Sequence, residues 1–120
     1  MPDLKKLLRL GKKDYFEVHL TLINCLLPQK MTPKEIEIVS AFMSLEGSIT
    51  EYRFGVSAKK IIKRDLTLSD AGLSNHLKSL LTKGFLINKD NTISIWPILI
   101  PDFNEQTYMF KLVNLDSNHS

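Results

Sequence analysis

The sequence predicts a mainly α-helical domain with a small β-hairpin near its end, which is an α+β fold. Three observations support this prediction. Apolar residues recur at intervals of three and four through most of the first eighty positions, as on the buried faces of amphipathic helices. Residues that cap helices stand in front of several of these stretches. After Gly84 the pattern changes to the alternation that is typical of strands.

The first predicted helix runs from Tyr15 to Leu27, where Pro28 ends it. The stretch Val18–Leu22 within it also alternates as a strand does, but the wider apolar spacing favours a helix. Residues 1–14 in front of it are predicted to be a basic N-terminal arm, because five of residues 1–13 are lysine or arginine and only Asp3 among these thirteen is acidic.

The second predicted helix has the strongest start signal in the chain. The run Thr32-Pro33-Lys34-Glu35 has the spacing of a capping box, with proline at the first helical position. Ile36, Val39 and Met43 continue as one apolar face. Gly47 is the expected end of this helix.

A third, short helix is predicted to begin at Ser57 as its cap. One face is apolar and consists of Ala58, Ile61, Ile62 and Leu66. The other face is basic and consists of Lys59, Lys60, Lys63 and Arg64. Because residues 53–64 contain no acid, while acids outnumber basic residues beyond Pro101, positive charge is concentrated where a phosphate-facing surface would need it.

A turn at Thr67–Leu68 and a cap at Ser69 introduce a fourth helix, predicted over residues 69–83. Leucines spaced four, seven and eight apart form its apolar face, and Gly84 closes it. The hairpin is predicted over residues 86–96, with its turn at Asn88–Asn91.

The remaining residues carry weaker signals. Pro97 and Pro101 bracket Ile98–Ile100, which is predicted to be an edge strand or an extended segment. Tyr108–Leu115 is expected to add a strand or a helix. Residues 15–112 are therefore predicted to form one domain, and residues 113–120 a disordered tail.

This order of elements, with a short helix, a tight turn, a second helix and then a hairpin, is that of a winged helix-turn-helix. The run Leu73-Ser74-Asn75-His76-Leu77-Lys78-Ser79-Leu80-Leu81-Thr82-Lys83-Gly84-Phe85-Leu86-Ile87 resembles the recognition helix and first wing strand of winged-helix regulators of the multiple-antibiotic-resistance type. The resemblance covers about residues 32–96. It implies a DNA-binding transcriptional regulator, and the chain is also similar in size to small orphan winged-helix proteins of phage.

The resemblance places residues 69–83 in a DNA major groove and the wing, residues 86–96, beside it. The expected base-facing or phosphate-facing residues of the helix are Ser69, Ser74, Asn75, His76, Lys78 and Ser79. Further phosphate contacts are expected from Lys59, Lys60, Lys63, Arg64 and Lys89. The alternative is an ordinary solvated helix face, since the fourth helix has no arginine and starts with Asp70, which is unfavourable beside a phosphate.

Neither catalysis nor a cofactor is predicted. The three histidines, at positions 19, 76 and 119, have no metal-ligand partner three or four residues on, and the chain has no glycine-rich phosphate loop and no serine nucleophile motif. Cys25 is the only cysteine and is predicted to be a small buried residue. No metal site is expected.

The expected partner is double-stranded DNA. A homodimer through residues 15–27 and 97–115 is the expected assembly, and a monomer that uses these segments to close its own core is the alternative. A rival hypothesis is a protein-interaction module that docks through apolar residues after the wing, within a phage replication, transcription, packaging or virion assembly. No apolar run approaches the roughly 20 residues of a membrane span, and the basic start lacks the apolar run of a secretory signal. The chain is therefore expected in the cytoplasm, which is the host's cytoplasm, or in the virion, if a phage encodes it.

Overall fold

The structure, a computed structural model, describes residues 7–47 and 52–116. Over these residues the fold is mainly helical with a two-stranded antiparallel hairpin, which confirms the predicted α+β layout of a winged helix. The elements in chain order are α1 (Lys12–Asn24), α2 (Pro33–Met43), α3 (Val56–Leu66), α4 (Asp70–Lys83), β1 (Leu86–Lys89), β2 (Thr92–Ile95) and a 3₁₀ turn at Pro97–Leu99.

Helix α1 begins three residues before the predicted start and ends three residues before the predicted end. Gly11 precedes its first turn and accepts a hydrogen bond from the N–H of Tyr15 at 2.8 Å, so the last residues of the predicted arm are helical. Phe16, His19 and Leu20 are buried, and this spacing of three and four is that of a helix, whereas a strand would turn the adjacent His19 and Leu20 to opposite faces. Residues 1–6 of the predicted arm lie outside the described residues.

The capping box of α2 is confirmed. The hydroxyl of Thr32 accepts from the N–H of Glu35 at 3.1 Å, and the Glu35 carboxylate accepts from the N–H of Thr32 at 2.8 Å. The helix ends at Met43, before the expected Gly47. Arg53 explains this early end, because its guanidinium donates to the carbonyl of Phe42 at 2.7 Å and to that of Met43 at 3.2 Å.

The predicted cap of α3 is wrong. Gly55, not Ser57, precedes the helix, and its carbonyl accepts from the N–H of Lys59 at 3.0 Å. A side chain at Gly55 would have its Cβ 3.1 Å from the carbonyl oxygen of Tyr52, so the close approach of the chain favours glycine here. Ser57 is exposed within the first turn.

Both predicted ends of α4 are confirmed. The hydroxyl of Ser69 accepts from the N–H of Gly72 at 3.0 Å, and Gly84 closes the helix with a φ of 83°. Thr67, between α3 and α4, has a φ of 54°, which gives the tight turn between the two helices. The helix-turn-helix therefore has the order that the sequence predicts.

The hairpin pairs β1 with β2 from Leu86–Ile95 at its base to Lys89–Thr92 at its tip. Its turn contains two residues, not the four expected, and both Asp90 and Asn91 have positive φ. Positive φ at both central positions is the geometry of a type I′ turn, whose twist matches that of the strands.

One hydrophobic core joins all four helices to the base of the hairpin within the described residues. Its largest fully buried apolar side chains are Phe16, Leu20, Ile38, Phe42, Ile62, Leu73, Leu80, Phe85, Leu86 and Leu99. Cys25 is exposed, contrary to the prediction. It lies two positions after Ile23, which packs against the core, and because the backbone at Cys25 is still helical in conformation this offset turns its side chain to the opposite side.

The chain after the hairpin differs from the expectation. Pro97–Leu99 is a 3₁₀ turn and not an edge strand, because the N–H of Leu99 bonds the carbonyl of Trp96 at 2.9 Å. Residues 101–114 form neither a helix nor a strand, so the element expected at Tyr108–Leu115 is absent. The end of the expected tail, residues 117–120, lies outside the described residues. No helix in the described part of the chain is long and apolar enough to cross a membrane.

Candidate nucleic-acid interface

Helix α4 presents one polar face to solvent. Its opposite face is buried through Leu73, Leu77 and Leu80. Three of the residues predicted to face a groove, Ser74, Asn75 and Lys78, are exposed, and no side-chain hydrogen bond ties them to the other described residues. Their amide, hydroxyl and ammonium groups are therefore available to a ligand.

The other predicted groove residues of α4 lie at the margin of this face. His76 is half-buried. Ser79 is turned towards α2, where its hydroxyl donates to the carboxylate of Glu35 at 2.8 Å. The prediction that Ser79 faces the groove is therefore corrected, because its hydroxyl is used in a contact between α4 and α2.

Glu35 is the centre of that contact. It is only 1% exposed, and Lys83 at the end of α4 donates to it at 2.7 Å. Burial alone raises the pKa of Glu35, but hydrogen bonds from Lys83, from the N–H of Thr32 and from Ser79, together with the Lys83 charge, outweigh it. The pKa therefore lies below its usual value, and the charged pair fixes α4 against α2.

The start of α4 combines a cap with an ion pair. The hydroxyl of Ser69 is occupied by the N–H of Gly72, although the residue itself is exposed. Asp70 pairs with Lys63 of α3, and the hydrogen bond and charge of Lys63 lower the pKa of Asp70. An anion that approaches this helix start therefore meets both a lysine and a competing carboxylate.

The basic residues of α3 do not form one uniform surface. Lys60 is exposed, whereas Lys59 is half-buried and Arg64 pairs with Asp65 at 3.2 Å. Because Asp65 and Asp70 oppose two of the four positive charges, the cluster that the sequence predicts carries a net charge of four minus two, or +2. Its attraction for phosphate is weaker than the sequence count implies.

Lys59 lines a groove that sequence reasoning missed. The groove has a volume of about 520 Å³ and separates the start of α3 from β2. Tyr52, which is exposed, lies in its wall together with Ile93 and Ile100. The loop before α3 has no motif, so the sequence held no signal that Tyr52 and β2 would come together.

The wing places one predicted residue at its tip. Lys89 ends β1 beside the two-residue turn and is exposed. Asp90 follows it immediately and is also exposed, so the tip is close to neutral. The structure thus brings Lys89 to the edge of the domain without creating a basic tip.

The described residues contain no group of three or more histidine, cysteine, aspartate or glutamate side chains that could hold a metal ion. His19 is buried, and both of its ring nitrogens have partners within the protein.

Comparison with protein-family models, with characterised proteins and with solved structures finds no significant match for this chain.

Proposed function

We propose that this protein binds double-stranded DNA and regulates transcription, with α4 in the major groove and the wing, residues 86–96, against the flanking backbone. The observation that carries the proposal is the free face of α4. Ser74, Asn75 and Lys78 are exposed there, while the Glu35–Lys83 pair and the leucine face hold the helix in place. A rigid helix with a free polar face is what groove recognition requires.

The chemistry of that face suits bases. The Asn75 amide can form a bidentate pair with adenine, and Lys78 can reach the acceptors of guanine or a phosphate. Ser74 can bond either a base or a phosphate. Lys60 and Lys63 of α3 and Lys89 of the wing are the proposed contacts to the DNA backbone.

The modest charge of this surface limits the affinity that is expected. With a net charge of only +2 over the α3 cluster and the start of α4, tight binding depends on base contacts or on two copies acting together. A regulator of this kind acts in the cytoplasm, which is the host's if a phage encodes the chain.

The second candidate function is a protein-interaction module. It is favoured by the apolar residues that follow the wing, because Phe103 and Phe110 are both mostly exposed. In that case the winged helix is a scaffold, and the partner is a component of a larger assembly, such as a phage replication or packaging machine.

Fluorescence anisotropy with a random-sequence DNA duplex, across about 50–200 mM salt, tests the first candidate. A Lys60→Ala/Lys63→Ala variant is expected to bind more weakly and to lower the slope of log K against log salt by about 1.8, because each lost phosphate contact removes about 0.9. Asn75→Ala is expected to leave the salt slope unchanged and to reduce the preference for a selected site.

The matched control is Lys12→Ala/Lys34→Ala, which removes the same charge from α1 and α2, where each lysine belongs to an ion pair that is at least partly exposed. It is expected to change the salt slope by much less than the α3 variant. If the two double variants lose affinity equally, or if the protein does not bind DNA at low salt, the DNA-binding proposal is wrong and the second candidate takes its place.

A further inference from the structure

The C-terminal strap, residues 101–116, is anchored along α1 at three points. Tyr15 donates a hydrogen bond to the carbonyl of Asp102 at 2.5 Å. The ring of Phe103 meets that of Phe16 edge to face, with 6.4 Å between ring centres. The hydroxyl of Tyr108 hydrogen-bonds Nδ1 of His19. The first half of the strap is therefore held in a fixed position, although it forms neither a helix nor a strand.

Beyond Tyr108 most side chains of the strap are apolar and exposed. Leu112 is 96% exposed and Met109 92% exposed, which are values of an unpacked chain. The large apolar side chains that the strap exposes are Phe103, Met109, Phe110, Leu112, Val113 and Leu115. A monomeric protein rarely exposes so many together, so this density indicates a surface that a partner covers.

Part of the strap also has backbone groups that are not hydrogen-bonded within the described residues. Residues 107–113 are rich in the β-branched and aromatic types that favour strands. Across residues 108–113 no backbone N–H or C=O is hydrogen-bonded to another group in the described part of the chain. An extended segment with free backbone groups and strand-forming side chains is suited to pairing with another strand.

The charged residues of the strap are placed so that two copies of it can pair with each other. Glu105 and Lys111 lie three residues on either side of Tyr108. When two identical strands run antiparallel about Tyr108, the glutamate of each faces the lysine of the other, so two ion pairs form at once. In the same register Thr107 faces Met109 across the strands, which puts a β-branched and an apolar side chain on the same face as the ion pairs.

We infer that the strap is a dimerisation strand, and that it pairs antiparallel with the strap of a second copy of this chain. The second copy is favoured over an unrelated partner because one strap contains both halves of a self-complementary pattern. A two-fold axis through the paired Tyr108 residues satisfies both ion pairs, as an isologous interface requires. The anchors on α1 reduce the conformational entropy that is lost on pairing.

The inference deepens the proposed function, because a symmetric dimer presents two α4 helices to two DNA half-sites. It does not depend on that function, since the strap pairs in the absence of DNA. The oligomeric state can therefore be measured without DNA, and a failure there leaves the DNA-binding proposal standing.

The test is sedimentation equilibrium on the full chain from about 1 to 100 µM. Reducing agent must be present, because the exposed Cys25 can form a disulfide between copies. A reversible dimer is expected. Glu105→Lys and Lys111→Glu are each expected to raise the dimer Kd about tenfold, because each places like charges opposite one another at two symmetric positions. The double variant, which restores opposite charges, is expected to return to within about threefold of the wild-type Kd.

Glu46→Lys is the matched control, because it reverses an exposed charge outside the strap. It is expected to leave the dimer Kd within about twofold of the wild-type value. A monomer at 100 µM overturns the inference. A dimer whose Kd is unchanged by both single reversals, or is not restored in the double variant, also overturns it, because such a dimer uses another surface or register.

Discussion

Lys83, at the end of α4, donates a hydrogen bond at 2.7 Å to the buried carboxylate of Glu35 in the first turn of α2. The same carboxylate accepts from the N–H of Thr32 and from the hydroxyl of Ser79. One side chain thus caps α2 and also fixes the position of α4. The face of α4 that is proposed to meet DNA is oriented by a contact on its other side.

Removal of either partner of this pair is expected to destabilise the fold unequally. Lys83→Met leaves the buried Glu35 carboxylate without its counter-charge and is expected to cost about 3 kcal/mol of unfolding free energy. Glu35→Gln leaves a lysine that can turn to solvent and is expected to cost about 2 kcal/mol. Urea unfolding at pH 7 measures both.

Lys34→Met provides the control, because the Lys34–Glu37 pair is partly exposed and is expected to contribute less than about 0.5 kcal/mol. The double variant Glu35→Gln/Lys83→Met is expected to cost less than the sum of the single changes. A loss for Lys83→Met no larger than for Lys34→Met would show that the pair does not stabilise the fold.

The protein is expected to become less stable as the pH is lowered, because His19 takes up a proton more readily in the unfolded state. Burial lowers the pKa of this side chain, and the hydrogen bond to the Leu99 carbonyl opposes that effect only in part. Because the folded-state pKa lies below the usual value of 6.5, the unfolded state binds the proton more readily. The stabilisation that neutral His19 gives the fold is fully present above pH 6.5 and is lost as the pH falls through the folded-state pKa. Thermal unfolding from pH 8 to pH 5 measures it.

His19→Gln separates this effect from other titrations, because glutamine does not titrate. The variant is expected to be less stable at pH 8 and to lose less stability between pH 7 and pH 5 than the wild type. A Tyr108→Phe variant, which removes only the hydroxyl on Nδ1, is expected to keep the pH dependence. If His19→Gln retains the full pH dependence, another group is responsible.

Neutralising Asp70 is expected to strengthen DNA binding. Asp70→Asn removes an exposed carboxylate from the start of α4 and releases Lys63 from its ion pair. Binding to a random duplex at about 50 mM salt is expected to tighten about threefold to tenfold, because one repulsive charge is lost and no carboxylate competes with phosphate for Lys63. Asp14→Asn makes the same change of charge in the first turn of α1 and is expected to have a smaller effect. If the two changes affect DNA binding equally, the start of α4 does not lie near a phosphate in the complex.

The turn of the wing is expected to accept glycine with a gain in stability. Asn91 has a φ of 62°, and glycine adopts this conformation without the steric cost of a side chain. Asn91→Gly is therefore expected to stabilise the protein by about 0.5–1 kcal/mol and to raise its Tm by a few degrees. Asn88→Gly, within β1, is expected to destabilise it, because glycine weakens a strand. A loss of stability in both variants would argue against the type I′ turn.

The sequence alone was sufficient for the elements whose signals are local. The capping box at Thr32 and Glu35, the cap at Ser69 and the left-handed end at Gly84 each depend on residues a few positions apart. The change from helical spacing to alternation after Gly84 likewise located the hairpin. For these elements the local conformational preference and the final fold agree.

The sequence by itself therefore determined the order of helices and hairpin and the free face of α4, since leucine spacing decides which side of a helix is buried. Only the tertiary structure decided that Ser79 and Lys83 meet Glu35, that Asp65 and Asp70 offset half of the basic cluster, and that the strap lies along α1. Except for the pair of Arg64 with the adjacent Asp65, these are contacts between residues on different elements. Spacing within one segment carries no information about them, because they arise only when separate elements pack against each other.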